Sequence, residues 1–419
     1  MKLDRQLFKN ETLQNGINLY FHKMKTSFFE MRIIIPVGNS HSHKDNQGGE
    51  NGIAHLLEHM IFRRSKSYGK KDAFANFLSL NGATMNAVTC ASYTEFIISS
   101  PSENLYRVLN AVISQIYEPV FNKNDLEIEK RIIKNESDQR KFYPGYDRLS
   151  QYMHSKWIQS YGYSKKQLFG DEKCLKGISA KQLRTFHKNY FSNDTMIILG
   201  GDVDMVIVKD LFSKIKTKTI NLSQRIEPIK WAGSVNHIFE DLDTDLPRLI
   251  IGGFQTEFDA RDVAGYSFLN EYLFNSDTGI LYRWMREEKG WIYSIENDLS
   301  EELNRFTWNT KISFRNKKDL DTVKKSLDHR IVLAIKDAKK LESEVKRQIL
   351  ERVFYYQTLT QRLDIATLSV TMYDRVITEE EYVKYILECT DVNRVREIYE
   401  KFFSPKCMKK FIAISKKMS

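Results

Sequence analysis

The segment His55-Leu56-Leu57-Glu58-His59 brings two imidazole side chains and one carboxylate into a single short stretch. His55 and His59 are four positions apart, so on a helix both rings project from one face and can share one cation. Glu58 can lie beside that cation and take a proton from a nearby water molecule. The flanking residues are apolar, and polar side chains buried among them would be costly without partners. The motif His-x-x-Glu-His therefore predicts a zinc site with its own general base.

Two histidines do not complete such a site, because a catalytic zinc usually takes three protein ligands and keeps one position for water. The stretch 124–136 is typical of a helix, with Asn124 as a candidate N-cap and acidic residues in the first turn. Glu129 and Glu136 lie on nearly the same face of that helix, about two turns apart. The helix can thus present one carboxylate to zinc and one to a histidine ring, since a histidine ligand normally needs an acceptor for its second nitrogen.

Hydrophobic periodicity and turn residues predict strands and helices around these two segments. They are strands at 17–22 and 28–37, helices at 51–63 and 70–81, two extended stretches within 83–99, helices at 102–117 and 180–190, and a strand at 195–199. A helix end, an aromatic pair, a turn and a strand follow one another at 188–198, and the same order recurs at 400–412. The recurrence indicates two copies of one domain.

The predicted fold class is α+β, with two similar domains that each consist of a mainly antiparallel sheet with helices packed on one face. The length of 419 residues suits two domains of about 200 residues each. We place the zinc-binding domain at 1–213, a Lys-rich linker at 214–235 and a second domain at 236–419. The second domain contains no His-x-x-Glu-His segment, so it is predicted to hold no zinc.

Composition limits the class of protein and its partners. The hydrophobic content of 42% supports two cores. The formal charge of +10 indicates a soluble, Lys-rich surface, and attraction to acidic peptide segments is the alternative. No compact basic and aromatic motif predicts nucleic-acid binding. No apolar run reaches the length of a membrane span, and the N-terminal residues lack the apolar stretch of a secretory signal. The four cysteines form no Cys-x-x-Cys pair, which favours reduced thiols and a cytoplasmic location.

The motif and the downstream acids resemble the pitrilysin and insulinase family of inverted-motif zinc peptidases. The resemblance is strongest to the short two-domain branch that includes mitochondrial processing peptidase and its bacterial relatives. That family has a glutamate ligand far beyond its second histidine, and Glu136 stands at the matching distance, with Glu129 at the position of another family glutamate. The resemblance implies one zinc per chain, bound by His55, His59 and Glu136. It also implies Glu58 as the base and Glu129 as a supporting carboxylate.

Two further segments carry the resemblance. Residues 82–89 match the family pattern Gly-x-x-x-Asn-Ala-x-Thr, an edge strand that pairs with the substrate backbone, which assigns Asn86 and Ala87 to substrate binding. Residues 286–293 match Arg-x-x-x-Gly-x-x-Tyr, which implies that Arg286 and Tyr293 hold substrate carbonyls and the developing oxyanion.

The resemblance implies a zinc-dependent endopeptidase that cuts peptides or unfolded precursor and leader segments inside a chamber formed by two subunits. A homodimer and a heterodimer with a related chain both remain open, because this chain carries both sets of site residues. The alternative is a non-hydrolytic scaffold or partner subunit of the same fold. Such relatives have typically lost the zinc residues, whereas this chain keeps them.

Overall fold

The computed structural model describes residues 8–42, 50–90, 92–142, 158–159, 172–191, 195–217, 230–231, 233–239, 246–302 and 305–415. The backbone forms two large sheets, one from each half of the chain, and a small two-stranded sheet. Together with the helices around them, these sheets confirm the predicted α+β class.

The first half contains a six-stranded sheet in the order β1-β2-β7-β3-β5-β4. Its strands are β1 (Lys9–Thr12), β2 (Asn18–Lys23), β3 (Phe28–Ile35), β4 (Thr84–Thr89), β5 (Thr94–Pro101) and β7 (Met196–Gly201). Its helices are α1 (Ile53–Ile61), α2 (Ala73–Leu80), α3 (Leu105–Tyr117), α4 (Lys123–Phe142), α5 (Glu172–Gly177), α6 (Ala180–Tyr190) and α7 (Met205–Ser213). β6 (Ile158–Gln159) pairs with β8 (Lys230–Trp231) in the small sheet.

The second half contains a five-stranded sheet in the order β11-β12-β10-β13-β9. Its strands are β9 (Val235–Phe239), β10 (Arg248–Gln255), β11 (Ile292–Glu302), β12 (Arg305–Phe314) and β13 (Lys409–Ser415). Its helices are α8 (Ala260–Phe274), α9 (Ile280–Tyr282) with a π-helical continuation (Arg283–Glu288), α10 (Lys317–Ala334), α11 (Ala338–Tyr355), α12 (Leu359–Tyr373), α13 (Glu379–Leu387) and α14 (Val392–Ile398) with a π-helical continuation (Tyr399–Phe403).

The two large sheets share one topology. In the first, β2 runs parallel to β7, and β7-β3, β3-β5 and β5-β4 are antiparallel. In the second, β9 runs parallel to β13, and β13-β10, β10-β12 and β12-β11 are antiparallel. The order of elements that recurs in the sequence at 188–198 and 400–412 leads into β7 and β13, and these two strands occupy equivalent places in their sheets. The domain boundaries at 213 and 236 stay a prediction; β8 and the first residue of β9 lie within the predicted linker, and 218–229 and 232 lie outside the described residues.

Most sequence-predicted elements appear within a few residues of their expected bounds. The helix predicted at 70–81 is shorter, because Asp72 adopts a left-handed conformation (φ 58°) and the helix begins at Ala73. The expected N-cap of α4 is wrong: the helix begins at Lys123, and the Asn122 side-chain oxygen accepts the Asp125 N–H at 2.9 Å. Asn122 and Asn124 are both good capping residues, so the sequence alone does not choose between them.

Helices cover both faces of the first sheet. On one face, the helices of the same half pack on a large core that includes α1 and the odd-numbered residues 29–35 of β3. On the other face, α12 of the second half packs on Tyr20, Ile34 and Ile198. Gly200 permits this close approach, since a Cβ there would lie 2.4 Å from Leu359 Cδ1. The first sheet thus has helices of its own half on one face and α12 of the second half on the other.

Among the described residues, none of the helices combines the length and the apolar character needed to cross a lipid bilayer.

Candidate active site

The candidate site lies where helix α1 faces helix α4. Gly52 adopts a left-handed conformation (φ 82°) that favours glycine, and α1 begins at the next residue. Nearly every residue of α1 is buried, His55 and Glu58 included, because the helix is enclosed between the sheet and other helices. The two helices run antiparallel, as His55 contacts Glu136 while His59 also contacts Glu129.

Three of the predicted ligand atoms face one another. The Glu136 Oε2 atom lies 3.9 Å from His55 Nε2 and 3.8 Å from His59 Nε2. The two rings meet nearly edge to face, with centroids 4.7 Å apart. Two ligands that share one tetrahedral zinc at 2.0–2.1 Å would lie about 3.3 Å apart, so each distance from Glu136 to a histidine nitrogen is about 0.5 Å longer than a shared ion requires. Two imidazole nitrogens and one carboxylate oxygen are also a donor set that zinc takes in catalytic sites. The residues present therefore fit a zinc ion.

Glu129 fixes the orientation of the His59 ring. Its Oε2 atom lies 2.9 Å from His59 Nδ1, and its other oxygen accepts from the Arg63 guanidinium. In the neutral ring, a proton on Nδ1 that serves this hydrogen bond leaves the lone pair on Nε2, the nitrogen that lies nearer Glu136. Burial opposes protonation of His59, but the hydrogen bond and charge of Glu129 outweigh it and raise the pKa of His59.

Glu58 lies beside the two rings and is held by strand β4. The Thr89 hydroxyl donates to Glu58 Oε2, and ligand atoms of Glu58, His55 and His59 all lie within 4.8 Å of one another. Burial raises the pKa of Glu58, although the Thr89 hydrogen bond and the charge of His59 act in the opposite direction. A carboxylate with a raised pKa, next to the space between the ligands, is suited to accept a proton from water.

Asn86 and Ala87 lie on β4, the edge strand of the first sheet. Both residues are at least partly exposed, and the Asn86 side-chain oxygen accepts the Ala87 N–H at 2.9 Å. The same strand ends at Thr89, which contacts Glu58. An extended peptide that paired with this edge would therefore run toward the candidate base, and pairing through the Ala87 amide would displace the Asn86 side chain.

Arg286 and Tyr293 form a separate pair in the second half. The Arg286 guanidinium carbon lies 5.9 Å from the centre of the Tyr293 ring, and its Nη1 atom donates to the Ile292 carbonyl at 2.8 Å. Tyr293 stands at an irregularity in β11 and is 65% exposed. In the described part of the chain, neither side chain makes a hydrogen bond or ion pair with α1 or α4. The structure thus joins this pair to each other but not to the histidines.

Two contacts were not predicted from the sequence. In the sequence, Thr89 is only the last position of the predicted edge-strand pattern, and Arg63 is not a candidate site residue. In the structure, Thr89 contacts Glu58 and Arg63 contacts Glu129. Arg63 lies four positions beyond His59, so helical spacing already placed it on the face of the ligands. Thr89 gave no comparable signal, because its contact with α1 arises from tertiary packing.

Two family models match successive parts of the chain. Residues 19–169 match the model described as Insulinase (Peptidase family M16), and residues 177–353 match the model described as Peptidase M16 inactive domain. The fold and the His-x-x-Glu-His helix define a protein of the inverted-motif zinc-peptidase class. The chain belongs to the insulinase family, peptidase family M16.

Curated relatives agree with this assignment. The chain is 23% identical over 296 residues to "Uncharacterized zinc protease YmxG" of Bacillus subtilis, a match that covers 69% of each protein. It is 30% identical over 200 residues to the chloroplastic stromal processing peptidase of Pisum sativum, a match that covers 45% of this chain and 15% of that protein. Relatives named as proteases thus support a peptidase.

Solved structures share the whole fold. A protease from Helicobacter pylori superposes with a TM-score of 0.80 at 15% identity, covering 98% of this chain and 100% of that one. A peptidase M16 inactive domain from Pseudomonas fluorescens superposes with a TM-score of 0.79 at 18% identity, covering 97% and 98%. At these identities the similarity establishes the fold, and the chemistry of the site must be argued from its residues.

Proposed function

We propose that this protein is a zinc-dependent endopeptidase that cleaves peptides or unfolded precursor and leader segments. The observation that carries the proposal is the convergence of His55, His59 and Glu136 from two helices, with Glu58 buried beside them. Relatives named as zinc proteases support the choice of metal. A cytoplasmic location and one zinc per chain are part of the proposal.

A zinc ion held by His55, His59 and Glu136 would supply a Lewis acid that polarises a carbonyl and makes water more acidic. Glu58 takes the proton of the attacking water and later passes a proton to the leaving amine. Thr89 holds the Glu58 carboxylate in place, while Glu129 keeps the His59 lone pair directed toward the site.

The substrate would be held by its backbone. An extended peptide adds to the free edge of β4 at Asn86 and Ala87, where main-chain hydrogen bonds give affinity without requiring one sequence. Arg286 and Tyr293 would grip substrate carbonyls and the developing oxyanion. They would do so within a chamber formed by two subunits, either two copies of this chain or this chain and a related one.

Metal analysis and peptide cleavage test the proposal together. Purified protein should contain about one zinc per chain and cleave a quenched fluorescent peptide of unfolded sequence. A chelator should abolish cleavage, and added zinc should restore it. A folded protein that neither binds zinc nor cleaves would favour the non-hydrolytic scaffold instead.

A further inference from the structure

Two adjacent arginines follow the motif helix α1, and each contacts a buried carboxylate of α4. Arg64 Nε donates to Asp125 Oδ2 at 2.6 Å, and the Arg63 guanidinium donates to Glu129. Asp125 and Glu129 are only 4% and 3% exposed. Carboxylates this deeply buried are costly unless paired, so the two contacts are not ordinary surface ion pairs.

The two carboxylates share a face of α4 with the candidate ligand Glu136. A residue four positions along a helix is turned by about 40°, and one eleven positions along by about 20°, so Asp125, Glu129 and Glu136 form one stripe. The contacts run in antiparallel order along the two helices: Arg64 with Asp125, Arg63 and His59 with Glu129, and His59 and His55 with Glu136. A shift of either helix by one turn would break every contact in this series.

The arginines also offset the charge of the stripe. Three carboxylates on one helix face repel one another, and two guanidinium groups lie against two of them. Burial alone would raise the pKa of Asp125, but hydrogen bonds from Arg64 and Asn122 lower it, which keeps this carboxylate ionised. The arginines thus allow an acidic helix to lie against α1 in one register.

The segment that carries the arginines is itself fixed. Arg64 Nη1 donates to the Gly69 carbonyl at 2.6 Å, and the Arg64 carbonyl accepts from the Val120 N–H at 2.9 Å. Ser65 and Pro119 form an isolated antiparallel bridge. The backbone that carries the arginines is therefore held against residues 119–120, just before α4 begins.

We propose that Arg63 and Arg64 are positioning residues of the metal site. They form a clamp that sets the register of α4 against α1 and so holds Glu136 opposite the two histidines. This inference rests on the proposed zinc site, to which it adds two residues that touch neither metal nor substrate.

Zinc affinity of the full chain tests the clamp. Competition with a chromophoric chelator would give the zinc dissociation constant of wild type, Arg63→Ala, Arg64→Ala and Arg64→Lys. Loss of either clamp contact should weaken zinc binding about 10- to 100-fold, the range for outer partners of metal ligands. Arg64→Lys should recover part of the affinity, because lysine keeps the charge but lacks the planar fork. The visible absorption of cobalt-loaded protein should change in the alanine variants as the ligand geometry changes.

Lys66→Ala is the matched control. Lys66 is in the same segment and pairs with Glu118 at 2.7 Å, but its side chain is 72% exposed. Among the described residues it makes no hydrogen bond or ion pair with α4. Its zinc affinity should equal that of wild type. The melting temperature of each metal-free variant shows whether the substitution also lowers the stability of the fold. If Arg63→Ala does not fold, Arg63→Lys takes its place.

The outcomes separate the two proposals. If wild type binds zinc and both alanine variants bind it equally well, the clamp is wrong while the proposed function stands. A lower melting temperature of the metal-free variants with unchanged zinc affinity would likewise overturn the clamp. If folded wild type binds no zinc, the proposed function fails first, and the clamp fails with it.

Discussion

Glu58 and Glu136 are both carboxylates beside the two histidines, yet the structure places them in different surroundings. Glu58 belongs to α1, is buried, and is held by Thr89. Glu136 comes from the facing helix, and 32% of its side chain is exposed. A base needs a fixed position and little competing solvent, whereas a ligand needs a lone pair directed at the ion. The surroundings therefore support Glu58 as the base and Glu136 as the ligand.

Glu58→Gln should separate chemistry from metal binding. The amide keeps the shape of the side chain but cannot accept the proton, so kcat should fall by about 10²- to 10⁴-fold. Zinc content should stay at the wild-type value, whereas His59→Ala should lose both metal and activity. Glu127→Gln, an exposed position on α4, is the control. Cleavage by Glu58→Gln at the wild-type rate would show that the assigned base is wrong.

Thr89→Val should lower kcat with little change in KM. Valine keeps the branched shape but removes the hydroxyl that donates to Glu58. Loss of a hydrogen bond to a charged group costs about 1.5–3 kcal/mol, which corresponds to roughly 10- to 100-fold in rate. Thr89→Ser keeps the hydroxyl and should restore most of the rate. Steady-state kinetics of both variants gives kcat and KM. Equal decreases in kcat for Thr89→Val and Thr89→Ser would show that packing, and not the hydroxyl, is responsible.

At the scale of elements, the sequence predicted the helices of the site better than their contacts. Spacing alone placed His55 and His59 on one face, and the family resemblance selected Glu136. The contact of Thr89 with α1 and that of Arg64 with Asp125 could not be predicted, because local periodicity does not encode which elements pack together. For the same reason, the buried residues of α12 recur at helical spacing without indicating that they cover the sheet of the other half.

The face of the first sheet under α12 should show a pH dependence through Glu95. Arg32 is 1% exposed and pairs with Asp364 at 2.9 Å, Glu30 at 3.3 Å and Glu95 at 3.5 Å. Burial raises the pKa of Glu95, although the charge of Arg32 lowers it. The folded protein therefore holds this proton to higher pH than the unfolded chain does. Protonated Glu95 therefore adds to the free energy of unfolding. This contribution is fully present below the ordinary pKa of 4.5 and is lost as pH rises through the raised pKa of the folded protein.

Glu95→Gln should remove this dependence. The melting temperature of the variant minus that of wild type should become more positive between about pH 4.5 and pH 7, because only wild type must ionise a buried carboxyl. Arg32 keeps Glu30 and Asp364 as partners in the variant. Glu103→Gln, at an exposed carboxylate, is the control, and thermal melts across this range provide the measurement. A difference that does not change with pH would contradict the assignment.

At the scale of the whole molecule, two halves with one sheet topology contain different candidate site residues. The His-x-x-Glu-His helix belongs to the first half, and Arg286 and Tyr293 belong to the second. Among the described residues the pair makes no hydrogen bond or ion pair with the helices of the site, and the proposed function assigns the pair to a site in another subunit. The sequence predicted the duplication from the order of elements that recurs at 188–198 and 400–412. It could not show how the two halves pack together.

Mixing two inactive variants tests the proposed assembly. Glu58→Gln lacks the base, and Tyr293→Phe lacks only a hydroxyl on a side chain that is 65% exposed. If each site combines residues of two subunits, mixed dimers contain one intact site and the mixture should regain activity. Size-exclusion chromatography with light scattering would report the assembly. Activity that remains at the level of the separate variants would place the complete site within one chain.

The packing of α12 on the first sheet has a consequence for the independence of the halves. Leu359, Leu363 and Val370 fill a surface formed by Tyr20, Ile34 and Ile198, so neither half is a closed unit without the other. A fragment that ended between the two sheets would expose this apolar surface to water and would tend to aggregate. The two copies of a duplicated fold can often be separated into fragments that fold alone. Here the second copy completes the core of the first, so we expect the two halves to be stable only together.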